Sequence, residues 1–253
     1  MRGRGGTSRQ HLYGVHPISE ALRAGRRRVA RLWLLPAGKS QDRRVELEAL
    51  ARRSGVPVES APRDRLDRLA GTPEHQGAVA EVDSYPYEDE SGLIRRVGNL
   101  TEAPLLLALD GIQDPRNLGA LVRGANIAGA HGVIIPKDRA AEITPAAAKA
   151  SAGAVEHTPV ARVTNLVRTL ADLKKAGLWV VGASAEGSTP LAWLRGGEPM
   201  VLVIGAEGRG LRPLVRKTCD LEVAIPVRGA IASLNAAMAG AILLHEARRP
   251  AGG

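Results

Sequence analysis

The chain has 253 residues, 44% of them hydrophobic, enough to build a sizeable core and to allow two domains. No apolar run is long enough to span a bilayer and no apolar secretory segment opens the chain, so a cytoplasmic protein with no membrane partner is expected. The formal charge of +9 is concentrated at one end: residues 1–53 hold 13 Lys/Arg against 4 Asp/Glu, whereas residues 54–253 hold 22 of each. So complete a segregation points to a nucleic-acid partner rather than to a solvated basic face. With no Phe and few other aromatics, phosphate contacts from arginine are the expected source of affinity, not base stacking. The single Cys219 excludes an intrachain disulfide, and no Cys/His cluster offers metal-ligand spacing, so no metal is expected; Cys219 reads as a half-buried thiol near a strand start.

Taken in order, residues 1–10 lack apolar periodicity and read as a disordered basic tail. Residues 11–83 read as a small α/β domain. Its expected elements are helices over Ile18–Ala24, Arg43–Ser54 and Arg63–Ala70 and strands at Val29–Leu35, Val56–Ser60 and Gly77–Val82. Residues 84–103 are acidic and poorly periodic; they read as a linker with one helical turn at Leu93–Val97. From 104 to 253, near-continuous apolar runs alternate with helical stretches. Strands are expected at Leu105–Leu109, Val133–Ile135, Val160–Val163, Trp179–Ala183, Val201–Ile204 and Leu221–Ala224, forming a parallel sheet covered on both faces. Ligands bind such sheets at the carboxyl ends of the strands.

Three turns lie there. The first, Asp110 to Arg123, contains Asp114-Pro115, with Asn117 placed to cap or open a helix; Arg123, six residues on, projects about 120° away from it. The second, Gly205 to Leu211, holds glycines at 205, 208 and 210, which allow positive φ and close backbone approach. Between them Glu207 is compatible with a surface residue, a backbone cap or a ligand contact. The third, Ile225 to Asn235, offers Ser233 as an N-cap before an Ala- and Gly-rich helix, Ala236–Ala247, whose thin surface suits packing against another helix or subunit.

In this order and spacing the turns resemble the three motifs of the SpoU/TrmH family of RNA 2′-O-ribose methyltransferases. The matching residues are Asn117-Leu118-Gly119-Ala120 with Arg123, Ile204-Gly205-Ala206-Glu207-Gly208-Arg209-Gly210-Leu211, and Ile225-Pro226 with Ser233-Leu234-Asn235. Gly124 departs from the small hydroxyl residue expected at its position. Tyr13-Gly14, His16-Pro17, Glu20-Ala21-Leu22 and His75-Gln76-Gly77 resemble the substrate-binding domain of the branch acting on a guanosine of large-subunit ribosomal RNA.

The resemblance implies an α/β catalytic domain with a parallel sheet and a deep trefoil knot, a topology that ordinary folding rules make rare. It also implies a homodimer and S-adenosylmethionine as methyl donor, lying among Gly182, Ala183, Ser184, Gly205, Ile225 and Leu234. Arg123 would contact the ribose or its phosphate and help deprotonate the hydroxyl. Asn117 and Asn235 would orient the nucleotide, Ser233 would support the site, and Glu207 would fix the motif or touch the substrate. The expected activity is 2′-O-methylation of ribosomal RNA. The same fold also leaves open a transfer-RNA or antibiotic-target nucleotide, or a non-catalytic RNA-binding or ribosome-assembly protein. A nucleotide-dependent oxidoreductase is excluded, because no Gly-x-Gly-x-x-Gly opens a helix after the first strand.

Overall fold

The computed structural model describes residues 9–36, 43–229 and 234–250, which divide into two compact units. Residues up to Pro86 together with Ile143–His157 form one, and Tyr87–Glu142 with the chain from Thr158 onward form the other.

In the first unit, β1 (Arg9–Tyr13), α1 (Val15–Ala24), β2 (Val29–Leu34), α2 (Arg43–Arg53), β3 (Val58–Ser60), α3 (Arg63–Ala70) and β4 (Ala78–Asp83) follow in order. The four-stranded sheet runs β1-β4-β2-β3; β4 is antiparallel to both neighbours and β2–β3 is parallel. Strand β1 was not expected. It begins inside the stretch read as a disordered tail, because Leu12 and Tyr13 are buried and the strand pairs with β4 along its length. Tyr13, Trp33, Ala61, Leu66 and Val79 pack into one cluster.

The His75-Gln76-Gly77 stretch is explained by folding. The buried His75 ring accepts from Gly77 N at Nδ1 (2.9 Å), which leaves Nε2 to donate to Asp67 (3.0 Å), and Gln76 and Gly77 both take positive φ. Segment 143–157 contributes a second set of contacts. Glu156 forms a buried ion pair with Arg27, His157 pairs with Glu20 at 2.7 Å, and Tyr85 donates to Val155 O at 2.9 Å. A side chain at Gly14 would meet Lys149 Nζ at 2.7 Å, and one at Gly153 would meet Glu20. The Tyr-Gly and Glu20 signatures therefore shape the seat of this segment. Several of the excess arginines are also engaged within the unit: Arg9 with Glu81, Arg31 with Glu59 and Arg52 with Glu48.

The second unit begins in the stretch expected to be a linker. There α4 (Glu90–Gly98), capped by Asp89, sinks Leu93 and Val97 into the core, so two helical turns stand where one was expected. The chain continues through β5 (Leu105–Asp110), α5 (Pro115–Ile127) and β6 (Gly132–Pro136). It then passes through α6 (Pro145–Ala150), within the segment that belongs to the first unit, and on to β7 (Val160–Val163), α7 (Leu166–Lys175) and β8 (Trp179–Ala183). It closes with β9 (Met200–Gly205), α8 (Pro213–Thr218), β10 (Leu221–Val223) and α9 (Ala236–Ala247).

All pairings in the six-stranded sheet, β10-β8-β9-β5-β6-β7 among the described residues, are parallel, as the apolar runs require. Leu106, Ala108, Val201 and Val203 point into a cluster with Leu93, Leu166, Leu170, Leu173 and Val215 from α4, α7 and α8. The opposite face is covered by α5 and α9, which pack on one another. A Cβ on Gly240 of α9 would collide with Leu121 of α5, which accounts for the thin helix read from the sequence. Among the described residues no helix is long and apolar enough to cross a membrane.

Candidate active site

Three features of the second unit converge at the carboxyl ends of its strands. The first is the turn after β9. Gly208 and Gly210 take φ of 73° and 63°, and Gly210 N donates back to Ala206 O at 2.9 Å, closing the loop on itself. This folds Gly210 and Leu211 directly over Gly205, where an added Cβ would meet the Gly210 carbonyl and come within 2.6 Å of Leu211 N. Gly205 is thus needed for the loop's own close approach.

The second feature is a cleft of about 230 Å3 between the ends of β8, β9 and β10 and the start of α9. Ala183, Ser184, Gly205, Ile225 and Leu234, all expected as donor-pocket residues, line it together with Glu207. Its walls are mostly small and apolar, with backbone exposed at the glycines, the kind of surface that recognises a ligand through shape and main-chain groups. Gly182 does not line the cleft. It sits one residue earlier in β8, where a Cβ would come within 2.8 Å of Leu211 and 2.9 Å of the Cys219 sulfur, so its smallness serves packing.

The third is a polar cluster at the rim. Glu207 Oε1 accepts from Asn117 Nδ2 at 2.8 Å, from Asn235 Nδ2 and from Ala236 N at 3.3 Å, and Asn235 Nδ2 also reaches Asn117 Oδ1 at 3.1 Å. Of the three compatible roles for Glu207, the structure gives it a cap: it draws the first turn of α9 and the third residue of α5 to one point. Asn117 is not a helix cap. Asp114 caps α5 by accepting from Arg116 N at 2.8 Å, Pro115 occupies the first turn, and the Asn117 amide is left to face Glu207. Asn235 takes the N-cap of α9, accepting from Ala237 N (2.8 Å) and Met238 N (3.3 Å), the role expected of Ser233; Ser233 itself lies outside the described residues. Arg123 is not drawn into the cluster. It is exposed on α5, on the same side as Ile127 one turn later, and makes no hydrogen bond or ion pair with the described residues.

One residue at the strand ends escaped the sequence reading. The buried Asp110, last in β5, accepts from Arg212 N (2.7 Å) and Arg212 Nε (2.5 Å), tying β5 to the chain that leaves the glycine loop. A carboxylate ending an otherwise apolar run was the available signal, since a buried acid needs a partner. Cys219 is chemically quiet. Burial pushes its thiol up to about 12, helped by the neighbouring Glu222 and Asp220, and Sγ donates to Val215 O at 3.4 Å. Among the described residues no group of three or more His, Cys, Asp or Glu is placed to hold a metal.

The chain matches the model of the SpoU rRNA Methylase family over residues 104–245, and that of the RNA 2'-O ribose methyltransferase substrate binding domain over residues 11–88. It is 42% identical over 241 residues to the 23S rRNA (guanosine-2'-O-)-methyltransferase RlmB of Pseudomonas putida, covering 95% of this chain and 96% of that protein. Its fold is similar to the SpoU methyltransferase AviRb from Streptomyces viridochromogenes in complex with the cofactor AdoMet, with a TM-score of 0.79, 27% identity and coverage of 98% and 93% of the two chains. It is also similar to an AdoMet-bound rRNA methyltransferase from Sinorhizobium meliloti, with a TM-score of 0.76, 25% identity and coverage of 97% and 88%. With the strand-end cleft, the Asn117–Glu207–Asn235 cluster and these matches together, the chain belongs to the SpoU rRNA methylase family and is a methyltransferase.

Proposed function

We propose that the protein transfers the methyl group of S-adenosylmethionine to the 2′-hydroxyl of a guanosine in large-subunit ribosomal RNA. The observation that carries this reading is the placement of the Asn117–Glu207–Asn235 cluster on the rim of an apolar, glycine-walled cleft at the ends of three parallel strands. Two relatives, 42% and 41% identical over nearly the full length, are 23S rRNA (guanosine-2'-O-)-methyltransferases, which supports the guanosine substrate.

The residues present fit the donor. Ile204, Ile225, Val227 and Leu234 supply apolar walls, the loop from Gly205 to Gly210 supplies backbone polar groups, and the Glu207 carboxylate stands at the rim. The donor brings a sulfonium-bound methyl group with a good leaving group already in place. What the protein must add is in-line positioning of the ribose oxygen and removal of its proton as the C–O bond forms. Asn117 and Asn235, held by Glu207, present amide groups to the nucleotide. Arg123 contacts the ribose or its phosphate, lowering the cost of the developing alkoxide; a guanidinium is a weak base, so this electrostatic part is the greater.

The protein acts as a homodimer. Ile127 on α5 and Met238 on α9 are 78% and 57% exposed, with Ile242 beside Met238 one turn on, a run of apolar side chains that a second copy would cover. Because Arg123 lies on the Ile127 side of α5, pairing through this face carries it into the interface. The trefoil threading is supported by the order of the elements: β10 lies at the edge of the sheet, while α9 returns to β9 and α5. Domain limits of 11–83 and 104–253 describe the substrate and catalytic parts in sequence. The work is done in the cytoplasm.

Mapping ribose methylation across total RNA from cells with and without the protein tests the proposal. One guanosine of large-subunit RNA should lose its 2′-O-methyl group in the deletion, whereas an unchanged map of that RNA, or a lost site in transfer RNA, would overturn it.

A further inference from the structure

A second hollow, of about 750 Å3, opens at the carboxyl ends of β6 and β7. Arg139, Thr164, Asn165, Arg212 and Leu214 line it, with Asp138 as its one acid. Four hydrogen-bond donors there are unused by the described residues. Arg139 makes no ion pair or hydrogen bond with the described residues, and its backbone takes φ 56°, a conformation that side-chain-bearing residues seldom adopt. The loop carrying it is pinned on both sides: Lys137 N donates to Val163 O at 2.8 Å, Ala141 N donates to Ile112 O at 2.7 Å, and Arg162 donates to Glu142 at 2.6 Å. Arg212 is oriented by Asp110 through Nε alone, which leaves both Nη groups free. Thr164 keeps its hydroxyl unused, and Asn165 spends Oδ1 on capping α7 at Arg168 N (3.1 Å) while its Nδ2 stays open. Leu214, 66% exposed, adds an apolar ledge.

The hollow and the strand-end cleft open at the carboxyl ends of the same sheet, with β5 between them. Arg212 follows two residues after Gly210, which lines that cleft, and the Asp110 that holds Arg212 pairs in register with Gly205. An RNA whose target ribose sits at the rim of the cleft would carry its neighbouring nucleotide along the strand ends toward it. Donors suit phosphate and ribose oxygens, the ledge suits a base face, and the lone Asp138 suits an exocyclic amine.

We propose that this hollow is a subsite for the nucleotide adjoining the methylated one, its phosphate gripped by Arg139 and Arg212 with Thr164 and Asn165. The inference rests on the RNA-methyltransferase reading given above. Two variants spare the fold: Arg139→Gly, because glycine favours the backbone found there, and Asn165→Asp, because aspartate keeps the helix cap while replacing a donor with a charge. Lys175→Ala, on the exposed end of α7, serves as control.

With a ribosomal RNA fragment as substrate, each of the two variants should raise KM for RNA about tenfold, with a much smaller fall in kcat and unchanged S-adenosylhomocysteine affinity. Arg139→Gly should also lower the slope of log binding constant against log salt by about one. Lys175→Ala should match the parent protein in RNA binding. Unchanged RNA affinity and salt slope in both variants would overturn the subsite. If the parent protein methylates no ribose, the functional reading fails instead, and direct RNA binding by the same variants still decides the subsite.

Discussion

Glu207 and Asn117, 90 residues apart in the chain, are joined by a 2.8 Å hydrogen bond in which the asparagine amide donates to the carboxylate. The bond links the glycine loop after β9 to the first turns of α5, and Asn235 closes the triangle from the start of α9. Segments that are remote in sequence thus meet at the mouth of the strand-end cleft. All three residues are at or near the surface, so their worth to stability is modest and their worth to geometry is large.

Asn235 separates these two contributions. Asn235→Ala removes the N-cap of α9 and should cost about 1 kcal/mol of stability along with activity. Asn235→Asp keeps an acceptor for Ala237 N and Met238 N but sets a second carboxylate against Glu207. Thermal melts of the aspartate variant should stay close to the parent while its methyl transfer falls at least tenfold. Parent-like methyl transfer by the aspartate variant would show that Asn235 is only a cap.

Gly205→Ala should strike donor binding. Its methyl group meets the backbone of Gly210 and Leu211, which cannot yield as a flexible side chain would, so the loop must lift from the cleft. Titration calorimetry with S-adenosylhomocysteine should show affinity reduced by more than tenfold, for about 1–3 kcal/mol of lost stability. Gly182→Ala is the comparison: its Cβ crowds the Leu211 and Cys219 side chains outside the cleft, so stability should suffer more than donor affinity.

Arg123→Ala should change stability by no more than about 0.5 kcal/mol, because the side chain is exposed and unpaired among the described residues. Methyl transfer should fall by about a hundredfold or more with donor affinity retained. Near-normal turnover would remove Arg123 from the reacting centre.

Cys219 should resist alkylation. With its thiol pushed up to about 12 and packed under Gly182, native protein should react with iodoacetamide at neutral pH far more slowly than protein in guanidinium. Equal rates would mean that the β8–α8 packing is open.

Much of the catalytic unit was legible because a parallel sheet buries both faces of its strands and writes continuous apolar runs. Val160–Val163 and Trp179–Ala183 match the observed strands residue for residue, and α9 begins and ends at Ala236 and Ala247 as expected. The six residues that the family resemblance implied for the donor fall mostly on one cleft: five line it, and Gly182 lies one position earlier in β8. What stayed hidden depends on partners distant in sequence. The short strand β1 becomes a strand only by pairing with β4. Segment 143–157 joins the first unit through Glu156 and Arg27, two charges whose pairing 129 residues apart leaves no local trace. Asn117 carries the residue type of a cap, yet Asp114 three residues earlier, ahead of Pro115, was better placed to be one.

The most direct test of the central claim is methyl transfer in vitro. Purified protein, methyl-labelled S-adenosylmethionine and large-subunit RNA from cells lacking the protein are incubated, and the RNA is then hydrolysed in alkali. A 2′-O-methyl group blocks cleavage of the adjacent phosphodiester. The label should therefore appear in a single alkali-resistant dinucleotide with guanosine at its 5′ side, and Arg123→Ala should abolish it. Label in free mononucleotides, which would mean base methylation, or no incorporation at all would contradict the account.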